Sequence, residues 1–146
     1  MELWRGAPVA AQIYETEQPL LAALAMDRGL VTPERRLVDA PLALRGYRPA
    51  NFDGRYRGLV TLRDSLVLSL NIPFVKLLRQ LGVETFGECL RTLGFAHLGT
   101  SDADAGLGMA IGNVEVSLLE LTSAYAVLAR GGTLPSGERV FSPGCR

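Results

Sequence analysis

Four of the five runs of apolar residues at helical spacing in this chain are closed by glycine. Leu20, Leu21, Leu24 and Ala25 share one helix face and meet Gly29. Phe74, Val75, Leu77, Leu78 and Leu81 meet Gly82, and Phe86, Cys89, Leu90 and Leu93 meet Gly94. Leu118, Leu121, Tyr125 and Leu128 run to Gly131-Gly132. Glycine adopts the left-handed conformation that ends a helix without a Cβ penalty, so the pattern dictates several short helices instead of one long one. Start signals agree. Thr61-Leu62-Arg63-Asp64 has the form of an N-cap box with Asp in place of Glu, Pro73 suits a first helical turn, and Ser117-Leu118-Leu119-Glu120 is a full capping box. The spacing predicts a helix over about Glu17–Arg28. A second runs from Thr61 to about Leu68 with Leu62, Leu66 and Val67 as its apolar face. Others run from Pro73 to Leu81, over about Glu84–Leu93, and from Ser117 to the double glycine.

The intervening segments read differently. Between residues 30 and 60, Pro33, Pro41 and Pro49 with Gly46, Gly54 and Gly58 break any helix. Leu37-Val38 and Leu42-Ala43-Leu44 are short enough for brief strands, and Asp53-Gly54 is a turn signal. Residues 96–113, with four glycines in the stretch 99–112, read as a second loop. Arg139-Val140-Phe141 is a further candidate strand. The expected fold is mainly α with one or two short strands, the alternative being α+β if the loop and tail segments pair.

The chain of 146 residues is long enough for one domain with a sizeable core. Lys plus Arg equals Asp plus Glu at 15 each, and the densest basic point is the pair Arg35-Arg36, so nothing points to nucleic acid. A membrane-spanning helix needs about 20 mostly apolar residues, and Asp, Arg, Glu or Pro interrupts every such run. Met1-Glu2-Leu3-Trp4-Arg5 lacks the basic-then-apolar form of a signal peptide; the chain taken alone would stay in the cytoplasm. Cys89 and Cys145 fit neither a zinc site nor a Cys-x-x-Cys pair. Cys89 is expected in the core and Cys145 at the surface, with a disulfide between them poorly supported. No metal or cofactor is implied.

One short motif carries chemistry. Ser69-Leu70-Asn71 stands between two predicted helices, where a tight connection can turn both polar side chains the same way. The hydroxyl both donates and accepts, and the amide can hold a peptide-like ligand, a pairing suited to proton shuttling beside substrate anchoring. Alone, these residues are equally ordinary as caps and turn formers.

Their surroundings resemble a known block. The run Gly46-Tyr47-Arg48-Pro49-Ala50-Asn51 through Gly58, then Val60-Thr61-Leu62-Arg63-Asp64, then Ser69-Leu70-Asn71-Ile72-Pro73, is similar in order and spacing to the transpeptidase domain of class A penicillin-binding proteins, the 1C type in particular. Gly112-Asn113-Val114 through Leu121, and Ala124-Tyr125-Ala126 through Gly131-Gly132, match a later stretch of that domain. The resemblance covers about Pro19 to Pro143, leaving residues 1–18 outside a partial transpeptidase domain at 19–146. It implies the helical part of the penicillin-binding and serine β-lactamase-like fold, and acyl transfer through a serine. A Ser-x-x-Lys motif would supply nucleophile and base, Ser-x-Asn one wall of the cleft, and Lys-Thr-Gly the opposite wall. The implied ligands are the D-Ala-D-Ala stem peptide of peptidoglycan and the β-lactams that mimic it. The implied location is periplasmic and membrane-anchored, against the missing signal peptide.

Carried over by position, Ser69 and Asn71 are the second motif. The nucleophile and base positions hold Glu15 and Gln18 instead. A glutamate does not form the acyl ester that a serine forms, and a glutamine amide has no ionisable group to act as base. No Lys-Thr-Gly occurs before the last residue given, Arg146, and Lys76 is the sole lysine. The expectation is therefore a remnant or truncated transpeptidase domain, catalytically silent alone. One alternative is a helical binding module whose apolar face awaits a partner chain supplying the missing sheet. A weaker one is a new hydrolase on Ser69. His97 near Ser101, Asp102 and Asp104 reads as a polar loop, because proximity in sequence does not give triad geometry. Asp102 and Asp104 lack the ligand count of a calcium loop, and Gly106-x-Gly108 with Gly112 lacks the spacing of a phosphate loop. Trp4 and Tyr14 read as packing residues.

Overall fold

A computed structural model describes residues 16–44, 47–98 and 106–141. Along them run α1 (Gln18–Asp27), β1 (Arg36–Asp39), β2 (Gly58–Thr61), α2 (Leu62–Val67), α3 (Asn71–Leu81), α4 (Val83–Thr92), a 3-10 turn (Leu107–Ile111) and α5 (Leu118–Ala129). α1, α3, α4 and α5 lie where the glycine-closed periods place them, and Gly29, Gly82, Gly94 and Gly131 all take positive φ. The described residues hold more helix than strand, which fits both the mainly α expectation and its α+β alternative.

α3 is the centre of the core. Ile72, Phe74, Val75, Leu77 and Leu78 are at most 2% exposed. α1, α2, α4, β1 and the 3-10 turn all pack on this helix. α1 brings Leu20, Leu21, Leu24 and Ala25; α4 brings Phe86 and Leu90; the 3-10 turn brings Leu107, Met109 and Ala110. Cys89 is a buried free thiol, and burial pushes its pKa up to about 12, as a small core residue requires. Cys145, Trp4 and Tyr14 lie outside the described residues.

β1 and β2 form an antiparallel ribbon in the register Arg36↔Thr61, Leu37↔Val60, Val38↔Leu59 and Asp39↔Gly58. Leu37 and Val60 turn toward the core while Val38 and Leu59 turn outward at 47% and 63% exposure, the alternation a two-faced ribbon demands. Leu37-Val38 is thus a strand as expected, but Leu42-Ala43-Leu44 makes only the single bridge Leu44↔Tyr47. The expected strand at 139–141 also reduces to one bridge, Thr133↔Arg139, because the N–H groups of Val140 and Phe141 both donate to Gly132 O. β2 is a strand not foreseen, and the 3-10 turn interrupts a stretch read as loop.

Two helix faces differ from the periodic reading. Val67 is 78% exposed; α2 buries Leu62 and Ser65 instead, and the Ser65 hydroxyl is satisfied by donating to Thr61 O at 2.8 Å. On α5, Leu118 and Tyr125 are 67% and 40% exposed, while Leu121, Ala124 and Val127 face inward. The small Ala124 lets α5 lie close to the core, and Tyr125 instead reaches out to donate to Thr16 O at 3.0 Å. The capping box that opens α5 is complete: Glu120 N donates to Ser117 Oγ, and Ser117 N to Glu120 Oε2. Ser117→Ala removes one of these acceptors and is expected to lower the free energy of unfolding by about 1 kcal/mol, readable in urea denaturation.

Candidate functional site

The junction between α2 and α3 is strained. Ser69 has φ of 50°, the one non-glycine residue at positive φ among those described. Ser69 N donates to Leu66 O and Leu70 N to Ser65 O, which closes α2, and Leu70 is 1% exposed and pins the turn from below. A serine in the left-handed region costs of order 1 kcal/mol, and such strain persists where surrounding packing over-determines it.

Strain here brings two polar side chains to one point. Ser69 Oγ donates to Gln18 Oε1 at 3.3 Å, and Gln18 Nε2 donates to Asn71 Oδ1 at 3.4 Å. Gln18, in the first turn of α1, is 1% exposed, so the amide bridges both members of the Ser-x-Asn motif from inside the fold. Both contacts are long for hydrogen bonds. Glu15 lies outside the described residues.

A second layer holds Asn71. Its Nδ2 donates to Ala50 O at 2.9 Å, and Ile72 N donates to Asn51 Oδ1 at 3.2 Å. Asn51 thereby satisfies an orphan N–H in the first turn of α3, a service that Leu70 at the N-cap cannot give. Asn51 Nδ2 donates in turn to Asp39 Oδ1 and to Arg55 O, both at 2.8 Å, and Arg57 N donates to Asp39 Oδ2 at 2.8 Å. Asp39 is 0% exposed. Thus β1, the 50–57 loop and the start of α3 are tied through two side chains. Asn51 stood in the Tyr-x-Pro-x-Asn pattern without a role. Asp39, a lone acid at a strand end, carried no sequence signal at all.

Glu17 is the residue least explained by packing. It is 0% exposed, neither carboxylate oxygen has a hydrogen-bond partner, and it does not cap its own helix. Burial raises its pKa from 4.5 to about 7; its own backbone N–H and the neighbouring Thr16 side chain pull weakly the other way. The Tyr125 hydroxyl is pushed up by burial first and by the nearby Glu17 charge second.

The other candidates are not gathered into this site. His97 is exposed, and 101–105 lie outside the described residues. Gly106 and Gly108 are small for packing reasons: a Cβ on the first would strike Val83 Cγ1, and one on the second would lie 2.9 Å from Asn113 Cβ.

Residues 16–136 match the family model described as the penicillin binding protein transpeptidase domain. The chain belongs to the penicillin-binding protein transpeptidase family. It is 34% identical over 115 residues to penicillin-binding protein 1C of Escherichia coli K12, covering 79% of this chain and 15% of that protein. It is 34% identical over 135 residues to penicillin-binding protein 1A of Neisseria cinerea, covering 88% of this chain and 16% of that one. The chain therefore spans about one sixth of the length of these curated relatives. Among solved structures, penicillin-binding protein 1A from Haemophilus influenzae superposes with a TM-score of 0.71 at 26% identity, over 88% of this chain and 21% of that one. The fold is shared as well with PonA1 of Mycobacterium tuberculosis in complex with penicillin V, at a TM-score of 0.74 and 20% identity over 94% of this chain and 43% of that one. No helix among the described residues is long and apolar enough to cross a membrane.

Proposed function

We propose that this chain is the helical portion of a peptidoglycan D,D-transpeptidase domain that keeps the Ser-x-Asn wall of the substrate cleft and does not form an acyl-enzyme alone. One observation carries the reading: Ser69 and Asn71 converge on the side chain of Gln18, at the position where the family's Ser-x-x-Lys motif places its base. An ε-amine there could exchange a proton with Ser69 and donate to Asn71 Oδ1. The glutamine amide reproduces the second contact but offers Ser69 only a carbonyl oxygen, which accepts a hydrogen bond and does not take the proton. The geometry of a proton relay is thus retained with its titratable member replaced. Incubating the purified protein with a fluorescent penicillin is expected to give no covalent band on a denaturing gel. Labelling that disappears in Ser69→Ala would overturn the proposal.

A second reading, a helical interaction module, draws on the outer face of α5, where the adjacent Leu118 and Leu119 are 67% and 76% exposed. Neighbouring large apolar side chains at that exposure are unusual on a monomer surface and fit a face covered by a further layer of protein. Light scattering together with binding of an environment-sensitive dye separates the cases: a monomer that binds no dye removes this reading and leaves the first intact.

A further inference from the structure

We propose that the first turn of α1 is a proton-held latch on the Ser69–Asn71 junction: neutral Glu17 keeps the turn packed with Gln18 bridging both side chains, and ionised Glu17 withdraws the turn and releases them. The argument is geometric. Glu17 and Gln18 are consecutive and both at most 1% exposed, so a backbone shift of the turn that exposes one carries the other with it. The two Gln18 contacts are 3.3 and 3.4 Å long and offer little resistance. Neither Glu17 carboxylate oxygen makes a hydrogen bond of good geometry that leaving would break, and if the charge stays, only its own backbone N–H and the Thr16 side chain offset its burial in part. A buried carboxylate without a partner is among the most expensive groups a protein can hold, and exposure is its simplest relief.

Among the described residues, the elements packed on α1 offer that charge little else. α1 is packed by α2, α3, α4, the 3-10 turn and α5. On α2, Arg63 pairs with Glu34 and Asp64 with the Thr61 hydroxyl. On α3, Lys76 donates to Val38 O and Arg79 is exposed; on α4, Arg91 pairs with Glu84 and Glu88 is exposed. The 3-10 turn bears no charged residue. On α5, Glu120 is engaged in its capping box, and Tyr125 lies near enough for the Glu17 charge to raise its pKa. Tyr125 cannot neutralise a carboxylate, and its hydroxyl is already donated to Thr16 O, on the same turn. The latch therefore has a hinge partner in Tyr125 and a single proton as its bolt. This goes beyond the proposed function, because it concerns the junction's shape with or without a ligand.

The test follows the side-chain amide resonances of Gln18 and Asn71 by NMR from pH 5 to 8.5 in the unliganded protein. Expected is a concerted shift of both, with a midpoint near the value of about 7 that burial gives Glu17, and its disappearance in Glu17→Gln. Glu17→Met, neutral at every pH and apolar, serves as a second control should the amide disturb folding. A titration shared by the two resonances in the wild type and absent from the variants upholds the latch. Flat wild-type resonances overturn it, as does a midpoint that survives in either variant, which would assign the transition to another group.

Discussion

Glu17→Met will make the protein more stable by about 3 kcal/mol at pH 8 and will do far less at pH 4.5. The size comes from linkage. The carboxyl titrates near 4.5 when solvated and at about 7 in the fold, and each unit of difference is worth about 1.4 kcal/mol. The sign follows from which state holds the proton. Between the two values the folded protein keeps it and the unfolded chain has lost it, so stability falls as pH rises. Below pH 4.5 both states are protonated and the contribution is whole; above about 7 it has been lost in full. Methionine has no proton to lose, and its unbranched thioether fits an irregular apolar site. Urea unfolding at several pH values reads this directly. A wild type whose stability is level from pH 5 to 8, or a methionine variant weaker at pH 8, would contradict the buried carboxyl. Glu17→Gln should abolish the slope with a smaller gain, because an unpartnered amide still lacks its hydrogen bonds.

The same residue shows where the sequence stops informing. A glutamate at the start of a helix is unremarkable, since the helix dipole favours an acid there and solvent usually receives it. Nothing in the string distinguishes that ordinary case from a carboxyl folded inward with no partner. What the string does carry is the helix itself: Pro19 at its start, Leu20, Leu21, Leu24 and Ala25 on its inner face, and Gly29 at its end, all as periodicity and capping predict. Gln18 drew notice in the sequence only through the resemblance, and its bridging of Ser69 and Asn71 depends on α1 lying across the α2–α3 junction, a long-range fact. Asp39 and Asn51 stayed dark for the same reason, being 12 residues apart and joined only when β1 and the following loop fold back together. β2 was missed because Gly58-Leu59-Val60-Thr61 is too short for period two to register, and its signal merged with the N-cap of α2.

The α5 face is a different kind of error. Leu118, Leu121, Tyr125 and Leu128 satisfy helical spacing, yet so do Leu121, Ala124 and Val127, and hydrophobicity alone favours the bulkier set. The outcome is mixed: Leu121 is buried and Leu128 packs on the core as expected, but the fully buried Ala124 takes the place of Leu118 and Tyr125, which are left outside. An apolar periodicity with two solutions is resolved by the neighbour's shape, which no single segment encodes.

Phe74→Ala will cost about 4 kcal/mol, the largest loss expected of any single truncation here. Phe74 is 0% exposed one turn into the helix on which α1, α2, α4, β1 and the 3-10 turn all pack, so removing the ring leaves a cavity in the core. The damage should also reach the site. Phe74 lies one helical turn beyond Asn71, whose Nδ2 and following Ile72 N–H are held by Ala50 and Asn51; loosening that turn should speed hydrogen exchange at Ile72 before global unfolding does. Leu118→Ala is the matched comparison. By spacing, Leu118 reads as interior, but at 67% exposure its truncation should change stability by no more than about 0.5 kcal/mol. Chemical denaturation of the two variants side by side tests the helix faces as well as the core. If Leu118→Ala instead costs as much as a core truncation, α5 must present Leu118 to a covered surface in solution, and the interaction-module reading gains the support that the isolated chain does not now give it.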